Sequence, residues 1–150
     1  MKKWLVAILI FLSGCASVYY FGEQEIKMVE RNDMHFVNIT LNGKKTKLLV
    51  DTGASKSLLD ISQAEDFDFS YLLLSKNQYI GIGGVQDIFV VYDYKVLETW
   101  ITFLGADMSE VREYFRKDGI DIVGILGSDF LEDSRAKIDF KTNIIYYNRD

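Results

Sequence analysis

The sequence has few of the residues from which metal sites and disulfide frameworks are built. Its 150 residues include one cysteine, one histidine and no proline. Cys15 alone cannot form an intramolecular disulfide, and with only His35 beside it, zinc ligation by cysteine and histidine is excluded. We therefore expect neither a metal nor another cofactor.

Basic residues are in the minority, with 17 lysines and arginines against 22 aspartates and glutamates. This acidic balance provides no basic stripe for a phosphate backbone and argues against nucleic-acid binding. The cluster Lys44, Lys45 and Lys47 is interpreted as one solvated hairpin. The sequence contains no repeat or low-complexity linker, and 150 residues, about half of them apolar, bury one core but not two. We predict a single folded domain.

The N-terminal apolar run, Trp4 to Leu12, is shorter than the roughly 20 residues that a membrane-spanning helix needs. Lys2 and Lys3 precede it, and Ser13-Gly14-Cys15 follows, which is the pattern of an export signal. A permanent transmembrane anchor is the weaker interpretation. We therefore predict that residues 1–14 are a signal peptide.

Leu12-Ser13-Gly14-Cys15 resembles the bacterial lipobox, in which the cysteine is lipidated and becomes the first residue of the mature protein. The resemblance implies lipidation at Cys15, and two acyl chains suffice for stable anchorage. Ala16 resembles the residue found in lipoproteins released to an outer membrane, facing the periplasm if the organism is Gram-negative. An ordinary secretory signal that contains a cysteine is the alternative. Residues 15–24 would be a tether and residues 25–150 the folded domain.

A β pattern begins near His35. Phe36 to Leu41 alternates between apolar and polar residues, Asn42-Gly43 is a strong hairpin signal, and Thr46 to Val50 predicts the partner strand. An earlier strand is expected around Ile26 and Met28. The closing segment, Lys137 to Tyr147, is expected to be a further hairpin.

Asp51 directly follows this predicted partner strand and opens the pentad Asp51-Thr52-Gly53-Ala54-Ser55. A buried strand that ends in a glycine turn can hold one carboxylate rigidly, with hydroxyl groups nearby for hydrogen bonds. A β-hairpin ending in a capped turn explains the same residues without any chemistry. The sequence contains one Asp-Thr-Gly triplet, so a second carboxylate in such a turn would have to come from a second copy of the chain.

Gly81-Ile82-Gly83-Gly84 lies between two β patterns, the second of which is Gln86 to Val91. The segment lacks the Lys-Ser/Thr of a phosphate-binding loop and precedes no helical pattern. A hairpin with a glycine tip is favoured, and such a hairpin can act as a lid over a cleft.

The other segments have local signals of mixed strength. Ser109 is expected to cap a helix with Val111, Tyr114 and Phe115 on its apolar face, ended by Lys117 to Gly119. Ile122 to Gly127 predicts a buried strand whose glycines permit close backbone approach, with Ser128 and Asp129 capping a short helix. The further expectations are a strand at Ser57 to Leu59, a helical turn at Ile61 to Glu65, a buried element at Tyr71 to Leu74, and β structure from Val96 to Leu104 with Trp100 and Phe103 in the core or a wall.

Four of these segments resemble, in this order, the elements of the single-lobed, retropepsin-like aspartic proteases of bacterial type. They are the Asp51 pentad, the glycine hairpin, Gly124 to Leu131 and the closing hairpin. The resemblance covers the chain from about His35 to Tyr147. It implies a mostly β fold, a closed or partly open β-barrel with a flap hairpin and one or two short helices.

The resemblance also implies an activity, namely an aspartic endopeptidase whose site lies at the twofold axis of a homodimer, with a peptide or protein as substrate. Asp51 would be catalytic and Thr52 would support the dimer, while Gly53, Ala54 and Ser55 would shape the turn. The implied flap is Gly81, Ile82, Gly83 and Gly84, and the implied support beneath the site is Ile125, Leu126 and Gly127.

Two alternatives remain at this point. The chain could be an inactive lipoprotein that uses the same fold as a peptide-binding or assembly module, with Asp51 serving only to satisfy backbone amides. It could also be an intramolecular protease that uses another aspartate such as Asp129, although Asp129 lacks the Thr-Gly turn and is favoured as a helix cap.

Overall fold

The computed structural model describes residues 23–81, 84–91, 93–97 and 99–148, most of which are in β-strands. The strands are β1 (Glu23–Arg31), β2 (Met34–Leu41), β3 (Lys44–Val50), β4 (Leu58–Asp60), β5 (Tyr71–Gly81), β6 (Gly84–Val91), β7 (Tyr94–Val96), β8 (Thr99–Ile101), β9 (Leu104–Ala106), β10 (Gly124–Leu126), β11 (Lys137–Asp139) and β12 (Ile144–Asn148). The helices are α1 (Ala64–Phe67), α2 (Ser109–Arg116) and α3 (Ser128–Asp133), with a 3-10 turn at Ile61–Gln63.

Ten of these strands form one sheet in the order β11-β12-β1-β2-β3-β10-β4-β9-β6-β5, and β7 pairs with β8 separately. The central strand β10 is parallel to β3 and antiparallel to β4. Because the described strands leave β11 and β5 as the two edges, the sheet is open. A mostly β fold is therefore confirmed, in its open form and not as a closed barrel.

The β2–β3 hairpin has the predicted turn. Asn42 and Gly43 both have positive φ, 47° and 81°, as a two-residue turn that matches the twist of its strands requires. The register places Phe36 opposite Leu49 and Leu41 opposite Lys44. This hairpin delivers the end of β3 to the centre of the sheet, where β10 meets it.

The predicted first strand and the closing hairpin are also present. β1 pairs with β12 from Glu23 opposite Asn148 to Lys27 opposite Ile144, and β11 pairs with β12 in antiparallel register. The predicted signal peptide and Cys15 lie outside the described residues, as does most of the tether. No helix in the part of the chain that the structure describes is long and apolar enough to cross a membrane.

The expectation that Tyr71 to Leu74 is a buried element is wrong. The segment is a strand, the start of β5, but its side chains are exposed by 39% to 63%. β5 is an edge of the sheet and pairs only with β6 among the described strands. An apolar run is buried only when another element covers it. None of the described residues covers these four side chains.

The core contains the expected aromatic residue Phe103, which is fully buried, but not Trp100, which is 70% exposed. Trp100 instead lines a cavity of about 390 Å³ together with Lys56, Leu104, Asp129 and Asp133. Phe103 lies between β8 and β9, where its carbonyl accepts the N–H of Val91, so it is enclosed by the sheet.

Helix α2 ends as predicted, with Gly119 at φ 72°, but it begins differently. Ser109 is its first residue and not its cap, because the Asp107 carboxylate accepts the Ser109 N–H at 3.0 Å. Phe115 is buried and contacts Phe36 of β2 edge to face at 5.5 Å. Tyr114, expected on the same apolar face, is exposed.

Helix α3 also begins without the predicted cap. Its N-cap residue is Gly127, which has no side chain to cap with, and neither Ser128 nor Asp129 occupies the cap position. The Asp129 carboxylate accepts the N–H of Phe130 at 2.9 Å, yet its main partner belongs to another element, as described below.

Candidate active site

Asp51 lies immediately after β3, in a turn whose backbone is fixed at several points. The Asp51 N–H donates to the Leu126 carbonyl at 3.1 Å, and the Ala54 N–H donates to the Asp51 carbonyl at 3.2 Å. The carboxylate oxygen Oδ1 accepts the Gly53 N–H at 2.9 Å. Asp51 is half-buried, so one part of its carboxylate is held by the turn while the residue still reaches the surface.

The predicted pentad divides into exposed and buried residues. Thr52, Gly53 and Ser55 are exposed, whereas Ala54 is buried. Gly53 leaves little room for a side chain, since a Cβ there would lie 3.2 Å from Asp51 Oδ1. The turn therefore presents Asp51 on a surface from which a second molecule can approach.

The residues that were expected to support the Asp51 turn, Ile125 to Gly127, lie directly against it. Ile125 and Leu126 are buried, and Ser128 donates its N–H to the Ala54 carbonyl at 2.8 Å. A Cβ at Gly127 would lie 2.6 Å from the Lys56 carbonyl oxygen, closer than real Cβ atoms come. Glycine at this position is thus required for the close backbone approach that the sequence predicted.

A second glycine is required three residues earlier, at the start of β10. A Cβ at Gly124 would lie only 2.0 Å from the Leu58 carbonyl oxygen. Gly124 pairs with Leu48 of β3 on one side and Leu59 of β4 on the other. The strand that supports the Asp51 turn is therefore packed backbone against backbone within the sheet.

Asp129 has a role that the sequence did not predict. Its carboxylate accepts the Ser57 N–H at 2.9 Å and the Ser57 hydroxyl at 2.7 Å. Ser57 is fully buried, and its Oγ accepts the Gly127 N–H at 3.0 Å. Because its oxygens already accept several donors, Asp129 is a poor candidate for a second catalytic carboxylate within one chain.

Asp60 is a second buried carboxylate that the sequence did not single out. It accepts the N–H groups of Ser62 and Met108, each at 3.1 Å, and lies 3.5 Å from an Arg112 guanidinium nitrogen. These contacts join the 3-10 turn to α2. Its position after Leu58-Leu59 and before a helical turn is a local signal of an N-cap, but nothing in the sequence indicates the distant partners.

The glycine hairpin is present as β5 and β6, which pair antiparallel up to Gly81 opposite Gly84. The other two predicted flap residues, Ile82 and Gly83, lie outside the described residues. Within the ranges that the structure describes, no group of three histidine, cysteine, aspartate or glutamate side chains could hold a metal ion.

The described arrangement is that of a retropepsin-like lobe, in which an aspartate in a glycine turn rests on a hydrophobic-Gly element and a glycine-tipped hairpin follows. A retropepsin-like aspartic protease from Rickettsia conorii has a similar fold, with a TM-score of 0.52 and 19% identity over 85% of this chain and 91% of that one. EIAV protease complexed with the inhibitor HBY-793 is also similar, with a TM-score of 0.51 and 22% identity over 75% of this chain and all of that one.

The family model described as "Aspartyl protease" matches residues 37–130, and the chain belongs to this family. Among curated proteins it is similar to DNA damage-inducible protein 1 of Yarrowia lipolytica, with 28% identity over 123 residues, which are 81% of this chain. The matched region is 29% of that relative's length. Membership of the aspartyl protease family and a retropepsin-like fold are thereby confirmed, while the bacterial type remains a prediction.

Proposed function

We propose that this protein is a homodimeric aspartic endopeptidase whose two Asp51 carboxylates, one from each protomer, activate a water molecule. The observation that carries the proposal is the Asp51 turn itself. Its backbone is held by Leu126 while its outer residues, Thr52 and Gly53, face solvent. Since the sequence has one such turn, the second carboxylate comes from the partner's Asp51.

Two carboxylates a hydrogen bond apart do not both ionise readily, so they share one proton. The ionised Asp51 takes a proton from the water, whose oxygen attacks the scissile carbonyl carbon. The protonated Asp51 donates its proton to the carbonyl oxygen, which gives a tetrahedral gem-diol. The Asp51 that took the proton from water then gives it to the amide nitrogen, while the other Asp51 takes a proton from a hydroxyl of the gem-diol. The carbon–nitrogen bond breaks, a carboxylic acid and an amine are released, and the pair again shares one proton. This pairing is general to aspartic proteases and is not a peculiarity of this chain.

The remaining residues of the turn and the hairpin are assigned to binding. Exposed Thr52 lies next to Asp51, where it can hydrogen-bond across the twofold axis to the partner's turn. The hairpin of β5 and β6 closes over an extended peptide, which adds a strand to the protein. Ala54 and Ser55 shape the turn.

Lipidated Cys15 would anchor the protein to a membrane after export. Two protomers confined to one surface have a higher effective concentration than in solution, so anchorage favours the dimer that the site requires. We expect the outer membrane, facing the periplasm, if the organism is Gram-negative.

One observation favours a second function. Asp51 Oδ1 accepts the Gly53 N–H, so the carboxylate also does what a purely structural aspartate does in a turn. The protein would then be an inactive lipoprotein that binds peptides or organises an assembly.

The two functions are separated by a cleavage assay. Full-length protein in membranes and its Cys15→Ser variant in solution are incubated with a peptide library over acidic to neutral pH, and new termini are read by mass spectrometry. Asp51→Asn is expected to lower cleavage by about 10²–10⁴-fold, as for the loss of a general acid or base. Asp121→Asn, which removes an exposed carboxylate elsewhere, is the matched control.

Protein concentration supplies the second test. Activity per protomer of the soluble variant should rise with concentration while the dimer is incompletely formed, because neither protomer has both carboxylates. Cleavage that survives Asp51→Asn would contradict the proposed site. Absence of cleavage by both forms at every pH would favour the binding module.

A further inference from the structure

The turn that carries Asp51 is held by four consecutive residues of a distant segment, 126–129. Leu126 accepts the Asp51 N–H, and Ser128 donates to Ala54 in the middle of the turn. At the far end, Asp129 binds Ser57. The turn from residue 51 to residue 57 is thus fixed at its beginning, middle and end by a segment of β10 and α3.

Side chains contribute to this attachment through the contact between Ser57 and Asp129. We call this contact the Ser57–Asp129 clamp. The Ser57 N–H lies 2.9 Å from one carboxylate oxygen and 3.0 Å from the other. The Ser57 hydroxyl donates to Asp129 at 2.7 Å while it accepts the Gly127 N–H at 3.0 Å. The direction of each hydrogen bond is fixed, because the Gly127 N–H can only donate and the Asp129 carboxylate accepts.

Burial makes this clamp stiff. Ser57 is fully buried, and a buried polar group that loses its partner costs about 1–3 kcal/mol, more for charged groups. Hydrogen bonds to a carboxylate are shorter and about twice as strong as neutral ones. A small displacement of the turn would leave either the Gly127 N–H or the Ser57 hydroxyl without its partner, so the turn has one favourable position.

We propose that Ser57 and Asp129 are positioning residues that hold Asp51 at the place where it can share a proton with the partner's Asp51. This inference rests on the proposed function. Sharing a proton requires the two carboxylates to lie within hydrogen-bond reach, about 2.6–3.2 Å. In a symmetric dimer any displacement of the turn occurs in both protomers. The distance between the two Asp51 carboxylates therefore changes by the sum of the two displacements.

The clamp uses both side-chain oxygens of Asp129 as acceptors. Asparagine at position 129 would replace one accepting oxygen by an NH₂ group, which would face the Ser57 N–H, donor against donor. Alanine at position 57 would leave the buried Gly127 N–H without its acceptor. Asp129→Asn is therefore the mild variant and Ser57→Ala the more disruptive one.

The test compares steady-state cleavage by full-length wild type, Asp129→Asn, Ser57→Ala and the double variant. We expect kcat to fall on the order of 10- to 100-fold, the effect of a misplacement of about 1 Å, with little change in KM. The double variant should lose no more than the worse single variant, because both changes break one network. Asp133→Asn on the same helix and Ser70→Ala, both exposed, are the matched controls.

The pH–rate profile separates positioning from loss of folded protein. Two close carboxylates ionise in two well-separated steps, and moving them apart brings the two steps together. Asp129→Asn should therefore narrow the bell-shaped profile. A variant that is merely less stable would lower the profile without narrowing it, and that result would overturn the inference, as would a wild-type kcat in folded Asp129→Asn.

A variant that does not fold and a wild type that does not cleave each require a different measurement. If Ser57→Ala does not fold, the decision rests on Asp129→Asn, which keeps the size of the side chain. If the wild type does not cleave, the proposed function fails, and positioning of a catalytic group fails with it. Amide exchange at Gly53 and Ser57 then still tests the clamp, because Asp129→Asn should accelerate it locally while a clamp without mechanical effect would leave it unchanged.

Discussion

The Asp51 turn and the β5–β6 hairpin lie on the same sheet but are attached to it in different ways. The turn is bonded to residues 126–129 at both ends and in the middle. Among the described strands, the hairpin joins the sheet through β6 alone, which pairs Phe89 with Gly105 and Val90 with Leu104 of β9. The Val91 N–H also donates to the Phe103 carbonyl. β5, an edge of the sheet among the described strands, begins with four exposed apolar residues, Tyr71 to Leu74.

This difference suits the two tasks of the proposed site, which are to fix a carboxylate and to cover a bound peptide. A carboxylate that must meet a second carboxylate needs a fixed position, and dense backbone contacts with buried hydrogen bonds supply it. A lid that opens needs few attachments, since regions with few buried contacts open at lower free energy. The same sheet thus provides a firm support at its centre and a loosely attached hairpin at its edge.

The largest effect is expected from filling the space between β10 and β4. Gly124→Ala would place a Cβ 2.0 Å from the Leu58 carbonyl oxygen, and neither backbone can move without separating the strands. We expect the free energy of unfolding to fall by more than about 4 kcal/mol, the range of severe backbone or packing lesions.

The matched control is Gly119→Ala, which has no atom within 4 Å of its Cβ but a φ of 72°. Its cost should be about 1 kcal/mol, from the left-handed conformation alone. Denaturant titration followed by circular dichroism measures both variants. Equal costs would show that the central strands yield as easily as a surface turn.

A smaller difference in stability is expected between two leucine substitutions, one at the centre of the sheet and one on the β5–β6 hairpin. Leu59 is fully buried next to β10, whereas Leu74 on β5 is 59% exposed. Leu59→Ala should cost about 2–5 kcal/mol through lost burial and a cavity, and Leu74→Ala should stay within about 0.5 kcal/mol. A large cost at Leu74, seen in the midpoint of the same titration, would mean that the hairpin edge is covered in solution.

The smallest effect concerns the start of α2, outside both regions. The Ser109 hydroxyl, followed by its backbone N–H, holds the pKa of Asp107 below its ordinary value. Because the folded pKa is depressed, its contribution to stability is present above the unfolded value of about 3.9 and is lost as the pH falls through the folded pKa.

Asp107→Ala should therefore lower the free energy of unfolding by about 0.5 kcal/mol near neutral pH, the low end for an exposed side-chain hydrogen bond. The difference from wild type should shrink below about pH 3.9. Urea titrations at several pH values measure it, with Asp121→Ala as the control for loss of one surface carboxylate. A difference that grows on acidification would contradict the assigned cause.

Local sequence signals predicted the parts of the fold that are decided locally. Asn42-Gly43 predicted the hairpin because both positions need positive φ, and alternation in Phe36 to Leu41 predicted its strand. The glycines of the segment ending at Gly127 predicted close backbone approach. The Asp51 pentad marked the candidate site because strand, turn and carboxylate follow one another directly.

Features that depend on distant partners were not predictable in this way. Leu72 was expected to be buried because it lies in an apolar run, yet whether a sheet edge is covered depends on the whole topology. Trp100 was expected in the core or a wall, and it is exposed and lines a cavity. Asp129 was taken for a helix cap because Ser57, its partner, is far away in the sequence. Asp60 was overlooked for the same reason, since its contacts to Met108 and Arg112 arise only after folding.

The hydrogen bond from Asp51 to Leu126 also has a consequence for the order of events in synthesis. About half of the chain lies between these two residues, so the contact cannot form until β10 has left the ribosome. The β2–β3 hairpin, by contrast, closes over a two-residue turn and can form early, because local contacts incur little loop-closure entropy. The nascent chain therefore carries its carboxylate without the support that places it until β10 has been made, and the site is completed later than the hairpin that delivers Asp51.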